Sequence, residues 1–116
     1  MGRAAATAIA LVLGLRVYDT QCGAKLLRVT PRLPELLAEP FAAGWIFDVE
    51  LLARLIVAHG SAARAEQVIY ELPLESWADV PGSKVGSVDY LRAGLDLLRI
   101  RRRYFRSAGG APPPAR

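Results

Sequence analysis

The sequence predicts an α/β segment, and three observations carry that reading. Apolar residues recur with a helical period over 48–58 and again over 87–106. Residues 66–74 alternate apolar and polar, as a half-buried strand does. A short apolar run, Leu26-Leu27-Arg28-Val29, is closed by Thr30-Pro31 and reads as a second strand. The order is helix, strand, helix, helix, strand, helix within 116 residues, which is one domain or less. At 53% apolar residues the chain can bury a core, roughly two-thirds of its unfolded surface at this size.

Each element has a local reason. Ala4–Leu15 is an apolar run behind Arg3, with Gly14 near its end. It has the look of a signal-peptide core but lacks a well-placed small-residue cleavage site. It is also shorter than the roughly 20 residues that span a bilayer, so an Ala-rich buried helix is expected. Thr30 is the expected N-cap of a short helix, with Pro31 at its first position, and that helix stops before Pro40. In 48–58, Leu51, Leu52, Leu55 and Ile56 form one stripe while Glu50 and Arg54 pair at i,i+4 on the other side. Gly60 closes this helix. The strand over 66–74 places Val68, Tyr70, Leu72 and Leu74 on one face. Pro81-Gly82-Ser83 is a loop, the last helix covers about 87–106, and residues 107–116 form a disordered, Pro-rich tail. No internal repeat is visible.

Charge is unevenly placed. Residues 1–91 carry eight Lys/Arg against ten Asp/Glu, while residues 92–116 carry seven Arg against Asp96 alone. The basic end calls for a partner with phosphates. On the last helix Arg92, Arg99, Arg103 and Arg106 share a narrow sector with Asp96, and Leu91, Ala93, Leu97, Leu98, Ile100, Tyr104 and Phe105 cover a broad opposite arc. Such a helix suits an anionic membrane surface, and equally a helix packed on the domain with a solvated Arg face. No nucleic-acid-binding module is recognisable, and nucleic acid is not expected as a partner. A single Cys22 excludes an intrachain disulfide, and with no Cys/His cluster at zinc spacing and His59 the one histidine, a His-based triad or metal site within the chain is not expected.

Three blocks carry the chemistry: Asp19-Thr20-Gln21-Cys22-Gly23-Ala24-Lys25-Leu26-Leu27, Trp45-Ile46-Phe47-Asp48-Val49-Glu50-Leu51-Leu52, and Trp77-Ala78-Asp79-Val80-Pro81-Gly82-Ser83-Lys84-Val85. In this order, over residues 1–106, they resemble the C-terminal half of the catalytic domain of family 2 glycosyltransferases, in the dolichyl-phosphate (polyprenyl-phosphate) glucosyltransferase and mannosyltransferase group. The resemblance implies part of a nucleotide-diphospho-sugar transferase (GT-A-like) fold without its N-terminal nucleotide-binding half. It implies transfer of glucose or mannose from a nucleotide-sugar to a polyprenyl phosphate at the cytoplasmic membrane face. A Mg or Mn ion is implied too, but no Asp-x-Asp that would hold it occurs here. The expectation is therefore a fragment, inactive alone; the alternative is a non-catalytic remnant or membrane-associated binding domain.

By that resemblance Asp19 is the catalytic carboxylate, and Gln21, Gly23, Lys25, Asp48, Glu50, Ser83 and Lys84 bind substrate. Elementary chemistry agrees in part. A carboxylate can orient or deprotonate an acceptor. Lysines are point charges suited to phosphate, and a Gly-Ser-Lys loop can cradle one. The plainer readings stand beside these. An Asp before Thr and Gly is commonly a turn residue, Cys22 is a small buried hydrophobe, and Trp45 is core. The Glu50–Arg54 pair reads as a surface ion pair of little worth. Asp48 lies in the apolar stripe of its helix, so it is either the N-cap or it points into a polar site.

Overall fold

A computed structural model describes residues 3–17, 20, 24–73, 75–76 and 86–105. These form five helices: α1 (Arg3–Leu13), α2 (Arg32–Leu36), α3 (Phe47–His59), α4 (Ala62–Glu66) and α5 (Ser87–Tyr104). Helix α3 is the axle, because α1, α2, α4 and α5 all pack on it, and α1 also touches α5. The core joins Ile9, Leu13 and Leu15 to Ile46, Val49, Leu52, Ala53 and Ile56 of the α3 region, with Ala65 of α4 and Ile100 of α5.

Helix ends follow local rules. Gly14 and Gly60 adopt left-handed φ of 66° and 88°, where a side chain would be strained. Each closes the helix before it: Gly14 N–H donates to Ala10 O at 2.8 Å and Gly60 N–H to Ile56 O at 2.9 Å. The Arg32 guanidinium donates to the Ala58 carbonyl in the last turn of α3, a favourable place for a cation.

The helices expected at 4–15, 48–58 and 87–106 are present. The two strands are not. Among the described residues there is no strand: 24–30 and 69–73 are irregular. Alternation states which faces could be buried, but a strand also needs a neighbour whose backbone completes its ladder, and among the described residues no ladder forms at either segment. Val68, Tyr70 and Leu72, the expected inner face, are exposed, while Ile69, of opposite parity, packs against the core. Glu66 itself belongs to α4, a helix the alternation concealed. Its signal was Ser61, whose hydroxyl accepts the Arg64 N–H at 3.2 Å as an N-cap. At α2 the cap shifts by one: Pro31 is the N-cap and makes no side-chain bond, while Thr30 contributes its carbonyl to Leu33 N–H at 3.0 Å.

Helix α5 divides the arc read from the sequence. Ala93, Leu97, Ile100, Tyr104 and Phe105 face the core, whereas Leu91 and Leu98 face out. Asp96 is buried and does not belong to the solvated Arg sector. Arg106 and the 107–116 tail lie outside the described residues.

Candidate functional site

The approach to α3 is built by carboxylates. Glu50 Oε2 accepts the Ala43 N–H at 2.8 Å, and Asp96 Oδ2 accepts the Gly44 N–H at 3.4 Å. Two acids on two helices thus pin the backbone that leads into Trp45-Ile46-Phe47-Asp48. Asp96 also accepts from Arg99 at 2.9 Å. Trp45, expected in the core, is 45% exposed and rests edge-to-face on Tyr90 at 6.1 Å.

Asp48 is not the N-cap, and its buried carboxylate is paired with a lysine. Ile46 is the N-cap of α3, so Asp48 stands in the first turn, where unpaired N–H groups and the helix dipole favour a carboxylate. Its Oδ1 accepts the Val49 N–H at 2.9 Å, and its Oδ2 lies 3.4 Å from Lys25 Nζ. Lys25 in turn donates to the Thr20 carbonyl at 3.0 Å. One ammonium therefore ties the Asp19–Leu27 block to the start of α3, joining blocks 23 positions apart.

Glu50 turns away from that pair, since residues two apart on a helix do not share a face. The expected surface ion pair is a buried one: Glu50 is fully buried and Arg54 is 8% exposed. Helix α3 has neighbours on nearly every side, so it has no solvent face to give them. Glu50 Oε1 meets Arg54 at 3.1 Å and accepts the Tyr104 hydroxyl at 2.8 Å. All five guanidinium N–H donors of Arg54 find acceptors. Nε donates to Tyr104 Oη at 3.0 Å, Nη1 to Leu36 O and Glu39 O at 2.8 Å each, and Nη2 to Pro40 O at 2.9 Å and to Glu50. Phe41 stacks under the guanidinium at 4.2 Å.

Burial alone would raise the Glu50 carboxyl, but the Ala43 N–H, the Tyr104 hydroxyl and Arg54 together hold it below its ordinary value of 4.5. Burial raises Tyr104 above its ordinary 10.0, and the Glu50 charge adds to this against the opposing pull of Arg54. The signs follow. Glu50 binds its proton less tightly folded than unfolded, so its contribution is present above pH 4.5 and lost as pH falls through the depressed folded value. Tyr104 contributes fully below pH 10.0 and loses that contribution as pH rises through its raised value. Thermal melts on the acid side of pH 4.5 should therefore fall more steeply for the natural chain than for Glu50→Gln. Equal slopes would show that Glu50 ionisation is not coupled to folding.

Of the residues read as a site, the structure brings Lys25 and Asp48 together and places Glu50 behind them, with both oxygens satisfied by the chain's own donors. Asp19, Gln21, Gly23, Ser83 and Lys84 lie outside the described residues. Sequence reasoning paired Glu50 with Arg54 but took the pair as exposed, and it missed Tyr104, whose contact with Glu50 spans 54 positions. Among the described residues no group of three His, Cys, Asp or Glu side chains could hold a metal ion. An open cleft of about 260 Å³ is lined by Arg16, Val17, Glu66, Ile69 and Glu71. The Arg16 N–H donates to Glu66 across it at 2.6 Å.

Over 102 residues, 84% of its length, the chain is 37% identical to the dolichyl-phosphate beta-glucosyltransferase of Saccharomyces cerevisiae. The chain is similar to part of a glycosyltransferase. It spans only 27% of that enzyme. No protein-family model and no solved structure matches it.

Proposed function

We propose that this chain is the acceptor-side portion of a family 2 glycosyltransferase that moves glucose or mannose from a nucleotide-sugar to a polyprenyl or dolichyl phosphate. The observation that carries the reading is the 37% identity over most of the chain to an enzyme of that name. The Lys25–Asp48 tie supports it, because it draws two of the three matching blocks to one place.

In the reaction the bond between the sugar's anomeric carbon and the donor diphosphate breaks, and a bond to an acceptor phosphate oxygen forms. The nucleoside diphosphate leaves. An acceptor phosphate is already ionised near neutral pH, so Asp19 orients it for attack and need not remove a proton. Lys25 and Lys84 neutralise phosphate charge, as compact ammonium groups do. Asp48 holds Lys25 in place, and the Glu50–Arg54–Tyr104 network holds the helix that carries Asp48. The donor and a Mg or Mn ion belong to a further portion of the enzyme, corresponding to length of the yeast relative that this chain does not span. The site works at the cytoplasmic face of a membrane, where the lipid acceptor resides.

Titration with farnesyl phosphate, a short polyprenyl phosphate, tests the acceptor role. Binding should weaken about tenfold or more in Lys25→Gln, since a hydrogen bond to a charged group contributes about 1.5–3 kcal/mol. No binding by the natural chain, or equal binding by the variant, would leave the non-catalytic alternative standing.

A further inference from the structure

Helix α5 carries apolar residues on two opposite sides. Ala93, Leu97, Ile100 and Tyr104 pack on the core. Val88, Leu91, Leu95 and Leu98 recur at spacings of three and four, and each is at least half exposed. At about 100° per residue this second stripe lies directly across the helix from the first. A helix that simply covers a domain has polar residues there, so the domain's own packing does not account for it.

The borders of the stripe are basic. Arg92 and Arg99 run along one edge, Arg101 lies beyond the other, and Arg102 continues the line past Leu98; all four are exposed. The acids of α5 leave that charge largely open. Asp89 accepts the Gly86 N–H at 3.0 Å at the helix start, and buried Asp96, which also accepts the Gly44 N–H, pairs with Arg99, whose side chain remains 66% exposed. Trp45 and Tyr90, in contact and each nearly half exposed, add amphipathic rings at the start of α5, a residue type suited to a boundary between water and lipid.

We propose that α5 docks in the plane of an anionic lipid surface, with Val88, Leu91, Leu95 and Leu98 inserted and Arg92, Arg99, Arg101 and Arg102 at headgroup level. Charge decides the occupant. A second copy of the helix would bring equally basic borders against these, whereas anionic headgroups complement them. Among the described residues no helix is long and apolar enough to cross a membrane, so the helix lies on the surface. The inference rests on the exposed stripe and basic borders of α5, and it deepens the membrane-face reading above by naming the surface that docks.

Co-sedimentation of the full chain with phosphatidylcholine vesicles, with and without phosphatidylserine, tests it at low and high salt. The chain should pellet with anionic vesicles at low salt and be released at high salt. Leu91→Ser/Leu95→Ser should reduce partitioning about tenfold or more with an unchanged circular dichroism spectrum and melt, since both positions are exposed. Arg92→Gln/Arg102→Gln, which removes two of the four headgroup-level charges, should weaken binding to anionic vesicles at low salt and reduce the salt dependence. Equal binding to neutral vesicles would overturn the electrostatic part, and undiminished binding by the leucine variant would overturn the stripe. A solution dimer that the leucine variant dissolves, or a preference for duplex DNA over anionic vesicles, would assign the face to another occupant and overturn the proposal.

Discussion

Arg54→Ala should lose about 3–5 kcal/mol of stability, the range seen when one partner of a buried ion pair is removed. The loss has named parts. Glu50 stays fully buried without its cation, and the carbonyls of Leu36, Glu39 and Pro40 lose the donors that reach them. Tyr104 loses the N–H that it accepts from α3. In a domain of this size each kcal/mol shifts Tm by about 4–8 °C, so the melt should move down by about 12 °C or more. Removing the charges as a set behaves differently, because an unpaired buried charge is the costly state. Arg54→Met with Glu50→Leu should therefore recover part of the loss. Thermal unfolding followed by circular dichroism separates these cases. A fall of less than about 1 kcal/mol, the scale of an exposed pair, would mean that the network is solvated in solution.

That network also shows where sequence reasoning ran out. Helix α3 was legible from its period and from Gly60, and α5 from its length and its apolar and basic rows. The face each helix buries was not. A wheel projection assumes one buried side, which suits a surface helix, but α3 is packed on by four others. Glu50 and Arg54 look solvated on the wheel and are enclosed in the fold. Asp48 looked costly within an apolar stripe because its partner, Lys25, comes from a segment far off in sequence. The strands failed for a related reason. The pattern at 66–74 is compatible with a ladder, but a ladder depends on a second segment that periodicity cannot supply. Over 61–66 the Ser61 cap, a strictly local signal, decided for helix. Legibility thus tracked range: caps and periods were readable, while long-range polar partners were not. The Lys25–Asp48 pair is such a long-range tie: both members were read as substrate-binding residues, but their contact was not legible.

Asp19→Asn should lower turnover by about 10²–10⁴-fold, the usual yield of a positioned acid–base or orienting group. The variant keeps size and hydrogen-bonding capacity and removes only the charge, so folding should be unaffected. The assay needs a complete donor site, and the yeast relative can supply it. A chimera in which this chain replaces the aligned 102-residue stretch allows glucose transfer to dolichyl phosphate to be measured with and without the substitution. No histidine is near enough in sequence to substitute, His59 being the single one in the chain. Lys25 sharpens the comparison. It lies six positions from Asp19 and is anchored to Asp48, so Lys25→Gln should act chiefly on the KM for lipid phosphate, whereas Asp19→Asn should act on kcat. A loss below about fivefold in Asp19→Asn, well short of the usual yield of such a group, would return Asp19 to the role of a turn residue. A parent chimera that folds but transfers no glucose would count against the transferase reading itself.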